Sequence, residues 1–267
     1  TTMYPIQLIC TDLDGTLLDE SESQANLRRF SQLLTECAQR WGAQWAVVTG
    51  RRKVDVDPLL MHFLVYGLRP AFLVVEDGLI YQRNQRGNFA GFRWWNFNIQ
   101  RKRTHLGRRS AADIVRWREE LLEAFPEGAD RSRQTVDLWL EFPDAEQTLR
   151  AELELLDKIR HTEDFQVFRW NRELFLAPTV GTKGEAVRKL MQKLSIPVGS
   201  IFAVGDGPND LSMLDGSAAG KTACVNNALD RVKQVVERSR GYVAAGQKTE
   251  GVVEALEWYM HRAAGRL

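Results

Sequence analysis

Ile6-Gln7-Leu8-Ile9-Cys10-Thr11-Asp12-Leu13-Asp14-Gly15-Thr16 is the stretch on which the fold turns. The largely apolar run from Ile6 to Cys10 reads as a short buried strand, and the abrupt change to acids and glycine reads as a functional loop. In an open α/β sheet such a loop faces the crevice at the carboxyl ends of the strands, where ligands bind. Two carboxylates at i and i+2 are costly there unless a positive charge lies between them. A divalent cation meets that need, and an oxygen-only donor set favours Mg2+. The plain alternative is an Asp-Gly turn with incidental acids.

Outward from this strand, Leu27, Phe30, Leu34, Cys37, Ala38 and Trp41 recur at helical spacing, which predicts a helix over Gln24–Trp41. Trp45–Val48 and Phe72–Val75 are short apolar runs and read as further buried strands. Strand, helix, strand, helix, strand is the pattern of a parallel sheet with crossover helices. It resumes after Pro178, with an amphipathic helix over Lys183–Leu194, a strand over Ile201–Val204, a strand closing at Val225, and helices over Leu229–Val236 and Val252–Met260.

The middle of the chain is different. From Arg83 to Arg118 there are ten Lys or Arg and one acid, Asp113, a balance of +9. Helical periodicity follows over Ala111–Phe125 and Ala145–Ile159. Between them Val136, Leu138 and Leu140 alternate as in a half-buried strand. Gln166–Arg169 and Leu174–Ala177 form a hairpin pattern around Trp170-Asn171-Arg172. The expected architecture is α/β: a discontinuous Rossmann-like parallel-sheet core over residues 3–80 and 178–267, with an inserted α+β domain over 81–177.

Three more polar clusters sit at strand or helix edges. Thr49-Gly50 follows a buried strand and offers a hydroxyl and backbone N–H groups; a simple turn is the other reading. Lys183 opens a helix, the end where the helix dipole disfavours a cation. Either it is solvated or it answers an anion. Gly205-Asp206-Gly207-Pro208-Asn209-Asp210 puts two more carboxylates after a buried strand, which metal ligation explains better than a plain turn.

Taken together and in this order, the four segments around Asp12, Thr49, Lys183 and Asp206 resemble the four motifs of the haloacid dehalogenase superfamily. The insertion stands where that superfamily carries a C2-type cap. Its size, with Glu76-Asp77-Gly78 and Tyr81 before it, is similar to the sugar-phosphatase branch that includes Cof-type and sucrose-phosphatase-like enzymes. Gly207-Pro208 stands where those relatives often carry Ser and another small residue, and Asp77 where many carry Asn.

The resemblance implies a phosphate-monoester phosphatase. Asp12 would attack phosphorus and form an aspartyl-phosphate, with Asp14 as general acid and then base. Thr49, Gly50 and Lys183 would hold the phosphate oxygens. Mg2+ would be held by Asp12, Asp206 and the main-chain carbonyl of Asp14, with Asp210 acting through water or by orienting Lys183 and Asn209 in support. An Asp at Asp14 is shared by the superfamily's phosphatases and phosphomutases. Phosphomutases usually carry a small helical cap after the first motif, whereas only about 35 residues, filled by one helix, separate Asp14 from Thr49, which favours a phosphatase.

The substrate class follows less directly. A sugar phosphate comes first, a flavin or nucleotide monophosphate second. A nucleic-acid-binding role for the basic segment, where Trp94-Trp95 adjoins Arg93, is a third reading. Trp170, Asn171 and Arg172 are the inserted domain's candidates for contact with the leaving group. Over the whole chain 36 Lys and Arg stand against 35 Asp and Glu, which gives no reason to expect nucleic acid or an anionic membrane as the main partner. Cys10, Cys37 and Cys224 have no metal or disulfide spacing and fit small core residues in a reducing cytoplasm. Thr1-Thr2-Met3 begins no basic-then-apolar leader, and no apolar run approaches the ~20 residues of a membrane span.

Overall fold

The computed structural model describes residues 4–18, 24–132 and 137–263. Along the chain the elements are β1 (Leu8–Thr11), α1 (Gln24–Trp41), β2 (Gln44–Val48), α2 (Lys53–Val65), β3 (Phe72–Val75), β4 (Leu79–Arg83), β5 (Phe89–Gly91) and α3 (Arg93–Ala124). Then come β6 (Ala129–Asp130), β7 (Leu138–Glu141), α4 (Ala145–Ile159), β8 (Phe165–Trp170), β9 (Glu173–Pro178) and α5 (Lys183–Leu194). The last are β10 (Ile201–Gly205), α6 (Leu211–Leu214), β11 (Lys221–Cys224), α7 (Asp230–Arg238), β12 (Tyr242–Val243) and α8 (Lys248–Ala263).

The chain divides into two compact units, one of residues 1–96 and 182–267 and the other of residues 97–181. The first holds an eight-stranded sheet in the order β12-β11-β10-β1-β2-β3-β4-β5. β1 is buried along its length because its neighbours β2 and β10 run parallel to it on both sides and helices cover the faces. The chain winds away from β1 in one direction through β2 and β3 and in the other through β10, β11 and β12. The crevice beyond the carboxyl ends of β1 and β10 is therefore a topological switch point. β4 and β5 extend the same sheet as an antiparallel edge, with Leu73 paired to Tyr81 and Gln82 to Ala90. Asn96, at the start of α3, completes that edge: its side chain accepts from the Ile80 N–H and donates to the Ile80 carbonyl at 2.8 and 2.9 Å.

The predicted spans of α1, β3, α4 and α5 coincide with the observed ones. The inward face of α1 is centred on Leu27, Phe30, Leu33 and Cys37, so Leu33 replaces Leu34 as the deeply buried leucine and Ala38 is exposed. The basic segment is mostly helix: α3 spans 32 residues and starts well before Ala111. Its tryptophans differ in environment. Trp94 is exposed, Trp95 donates its indole N–H to the Gly78 carbonyl at 2.8 Å, and Trp117 is core. All three cysteines are buried free thiols.

The second unit is α+β, with an antiparallel sheet ordered β6-β7-β9-β8. Leu138, Leu140, Val167 and Leu174 point from one face of that sheet into a core shared with Trp117, Leu121, Leu155 and Ile159 of the helices. Val136 lies outside the described residues. The β8–β9 hairpin closes through Asn171 and Arg172, with Asn171 at φ 51°, a left-handed position that asparagine tolerates. Among the described residues no helix is long and apolar enough to cross a membrane.

Candidate active site

The site is built at the end of β1, where the backbone leaves the sheet. The Asp12 N–H donates to the Val204 carbonyl at 3.0 Å, which continues the β1–β10 ladder by one bond. The chain then folds on itself as the Leu13 carbonyl accepts from the N–H groups of Thr16, Leu17 and Leu18. Gly15 is required at this turn. Its φ is +71°, and a Cβ there would lie 2.2 Å from Asp206 Oδ2. The turn directs the Thr16 hydroxyl to Asp206 Oδ1 at 2.7 Å.

Lys183 is the centre of the arrangement. It is fully buried, and its Nζ donates to Asp12 Oδ1 at 2.7 Å and to Asp210 Oδ1 at 2.6 Å. The lysine opens α5, whose N-terminus is closed by a capping box between Thr182 and Glu185. Those local bonds satisfy the helix end, so the cation there answers the two acids rather than the helix. Gly184 lets α5 come in close, since a Cβ there would meet the Ser212 carbonyl oxygen at 1.9 Å. Asp210 Oδ2 in turn accepts the backbone N–H groups of Asp206 and Gly207, both at 2.9 Å. Both of its oxygens are thus engaged.

Asp206 is buried beside them, and its Oδ2 has no hydrogen-bond partner. One carboxylate oxygen from each of Asp12, Asp206 and Asp210 lies within 4.8 Å of the others. Burial pushes the Asp206 carboxyl up to about 7, helped by the negative charge of Asp210 and opposed by the Thr16 hydroxyl. Burial also holds Asp12 well above its ordinary range, against the lowering effect of Lys183. For Lys183, burial works against the ammonium, but Asp12 and Asp210 outweigh it and keep the pKa above normal. One buried cation among three buried acids leaves a charge deficit. An orphaned carboxylate oxygen at that point fits a divalent metal ion.

Asp14 points outward and is half exposed. Arg51 grips it with two bonds, Nε to Oδ2 at 2.8 Å and Nη2 to Oδ1 at 2.5 Å. This fork raises the Arg51 pKa. Thr49 is buried at the end of β2, where its N–H donates to the Val74 carbonyl and its hydroxyl accepts from the Arg51 N–H at 3.2 Å. Gly50 follows as an exposed backbone position, with the Asp77 and Asn209 side chains 3.4 Å from where its Cβ would be. Asn209 donates to Asp77 Oδ1 at 2.9 Å. Glu76 and Asp77 both have positive φ, 49° and 59°, a strained pair held beside the site.

Asp12, Asp14, Thr49, Gly50, Lys183, Asp206, Asn209 and Asp210 therefore all lie in the first unit, around the ends of β1, β2 and β10. Trp170, Asn171 and Arg172 lie in the second. There Arg172 bonds Glu141 Oε1 at 3.1 Å and Asn171 occupies the hairpin turn. Sequence reading left Thr16, Arg51 and Asn227 without roles. Thr16 lay inside the quoted Asp12–Thr16 stretch, and Arg51 directly follows Thr49-Gly50. Asn227, whose amide donates to the Gly15 carbonyl at 2.8 Å and so braces the turn, had no signal beyond following a strand.

Comparison with known proteins agrees with this architecture. The family model described as sucrose-6F-phosphate phosphohydrolase matches residues 5–260. Phosphatase YwpJ of Bacillus subtilis is 26% identical over 291 aligned positions, covering 87% of this chain and 93% of that protein. The 5-amino-6-(5-phospho-D-ribitylamino)uracil phosphatase YcsE of the same organism is 23% identical and covers 96% of each chain. Among solved structures, the sucrose-phosphatase of Synechocystis sp. PCC6803, in complex with sucrose and phosphate, superimposes with a TM-score of 0.68. It shares 18% identity and covers 96% of this chain and 99% of that one. A haloacid dehalogenase-like hydrolase from B. subtilis gives a TM-score of 0.61 at 22% identity. The chain belongs to the sucrose-6F-phosphate phosphohydrolase family and is a phosphatase of the haloacid dehalogenase superfamily.

Proposed function

We propose that the chain is a Mg2+-dependent enzyme that hydrolyses a small sugar phosphate through an aspartyl-phosphate on Asp12. One observation carries this reading: Lys183 is buried between Asp12 and Asp210 while the Asp206 oxygen beside them has no partner. A fold has no structural reason to bury three acids around one cation. A site that must gather a metal and a phosphate does.

In this reading Lys183 fixes Asp12 through Oδ1, and the other oxygen is the nucleophile. As the new P–O bond forms, the bond to the leaving oxygen breaks and Asp14 supplies the proton. Asp14 then takes a proton from the water that attacks phosphorus and frees Asp12. Arg51 orients Asp14 beforehand, and an incoming phosphate is a competing anionic partner for that guanidinium. The Thr49 hydroxyl, the Gly50 N–H and Lys183 bind the equatorial oxygens. Asp12, Asp206 and the Asp14 main-chain carbonyl are the donors suited to the metal. Both oxygens of Asp210 are occupied, so its part is to hold Lys183 and the Asp206–Gly207 backbone. A divalent cation held there would offset the negative charge of Asp12 and phosphate as they meet.

The family description and the sucrose-bound relative support a sugar phosphate. The relative acting on a phosphoribitylamino-uracil supports a second reading, a flavin-type monophosphate. Buried reduced thiols support a cytoplasmic location. The test is phosphate release across a panel of sugar phosphates, including sucrose-6F-phosphate, and of flavin and nucleotide monophosphates, with Mg2+. A clear preference for a sugar ester supports the first reading. Preference for a flavin-type ester moves the assignment to the second, and no release from any ester sinks both.

A further inference from the structure

The helix α4 has two unlike faces. Thr148, Ala151, Glu152, Leu155 and Ile159 are buried against its own unit. About a quarter-turn round the helix from that face, Leu149, Leu153 and Leu156 are 42%, 60% and 42% exposed. Single exposed leucines are ordinary, but three in one helical stripe mark an interaction surface. Their spacing, four then three, is that of a coiled-coil seam, and the seam continues to Glu146 on one side and Arg160 on the other.

We propose that this stripe joins two copies of the chain, with α4 packed antiparallel against the partner's α4 about a two-fold axis beside Leu153. The sequence of the helix selects a second copy as the occupant. In an antiparallel two-fold pair, residues equally far from the axis on opposite sides face each other. Leu153 then meets its own counterpart, and Leu149 meets the partner's Leu156. Glu146 meets the partner's Arg160, so the seam ends in opposite charges. Beside the seam, Arg150 and Asp157 are seven residues apart and share one flank, which places Arg150 against the partner's Asp157. All these pairs share one midpoint, at Leu153, to within about half a residue. The four charged residues are exposed, and the Arg160–Asp157 bond of 3.0 Å within one copy gives way to the two pairs between copies. A parallel pair would instead set Glu146 and Arg160, which lie in the seam, each against its own copy and so against a like charge, and would part Arg150 from the partner's Asp157. The inner face cannot take this role, because it is occupied by the unit's core.

Cysteine cross-linking of the full chain tests both association and direction. The native Cys10, Cys37 and Cys224 are buried and do not compete. In the antiparallel pair two copies of residue 153 adjoin, whereas two copies of residue 149 are displaced by about 12 Å along the axis. A disulfide needs Cα atoms within about 7 Å. On mild oxidation Leu153→Cys is expected to form a covalent dimer and Leu149→Cys is not, while a mixture of Leu149→Cys and Leu156→Cys cross-links. Light scattering of the wild type should show the mass rising from 30.5 kDa toward twice that value with concentration. Leu153→Glu, at an exposed position and with an unchanged circular dichroism spectrum, should stay at the single mass. A wild type that is monomeric up to about 1 mM overturns the proposal. So does a Leu153→Glu protein that still dimerises, or a Leu149→Cys protein that cross-links to itself.

Discussion

Replacing Lys183 by Met removes, at similar side-chain size, the one cation among the described residues that touches both Asp12 and Asp210. Its Nζ is 2.7 and 2.6 Å from those carboxylates, and the lysine is fully buried. Two buried acids remain facing each other. The cost can be approached from two directions. Truncating one partner of a buried ion pair costs about 3–5 kcal/mol because the other charge is stranded. Alternatively one carboxyl escapes by taking a proton, and holding a group with an ordinary pKa near 3.8 protonated at pH 7 costs about 4 kcal/mol, at about 1.4 kcal/mol for each unit of pH. The two agree, so Lys183→Met should lose about 4 kcal/mol at pH 7. Urea unfolding with EDTA present reads this without a contribution from bound metal. The loss should shrink as pH falls. A folded-state carboxyl with a raised pKa holds a proton that the unfolded chain has released, so its contribution is favourable at low pH and fades as pH rises. Lys183→Met with Asp210→Asn removes one of the two stranded charges and should recover part of the stability without recovering turnover. A loss below about 1 kcal/mol at pH 7, or one that grows on acidification, would refute the charge argument.

Asp12→Asn should lower turnover by at least about a thousandfold and leave no acid-stable trace of phosphoenzyme, with unfolding unchanged or slightly improved by removal of a buried acid. Chelation should abolish phosphate release and Mg2+ should restore it; full activity in metal-free buffer would count against the role given to Asp206. Lys221 is buried in β11 with its pKa lowered by burial to about 8 from 10.5. The unfolded chain therefore binds the extra proton between those values, and stability rises with pH across that window. Lys221→Met should gain about 1–2 kcal/mol at pH 7, less than the ~3 kcal/mol implied by the shift because the Gly199 carbonyl loses its donor. That gain should vanish as pH rises from about 8 toward 10.5, and a gain independent of pH would exclude the buried ammonium as its source.

How far the sequence reached depended on how sharply each element is marked. α1, α4 and α5 have a strong apolar period and clear ends, and β3 is a four-residue apolar run, so the span of each was legible, although in α1 Leu33 rather than Leu34 turned out to be the deeply buried leucine. α3 was not, because a 32-residue helix rich in Arg and Lys covers its stripe with charge along much of its length. β4 and β5 were hidden for another reason. They join the first sheet by pairing at the edge, as Leu73 with Tyr81, and no periodicity within either strand announces that neighbour.

The site divides in the same way. Strand-end acids at Asp12, Asp14, Asp206 and Asp210, the Thr49 turn and a lysine at the wrong end of a helix are local features, and the sequence by itself determined them. It left open whether Lys183 is solvated. Only the tertiary structure decided that, by bringing it to Asp210, 27 residues away, and to Asp12, 171 residues away. Only the fold could show that Asp210 is fully engaged while one oxygen of Asp206 is stranded, or that Arg51 holds Asp14. The physical reason is range. Strand and helix signals come from neighbours a few residues apart, whereas burial and charge pairing arise where distant segments meet and exclude water.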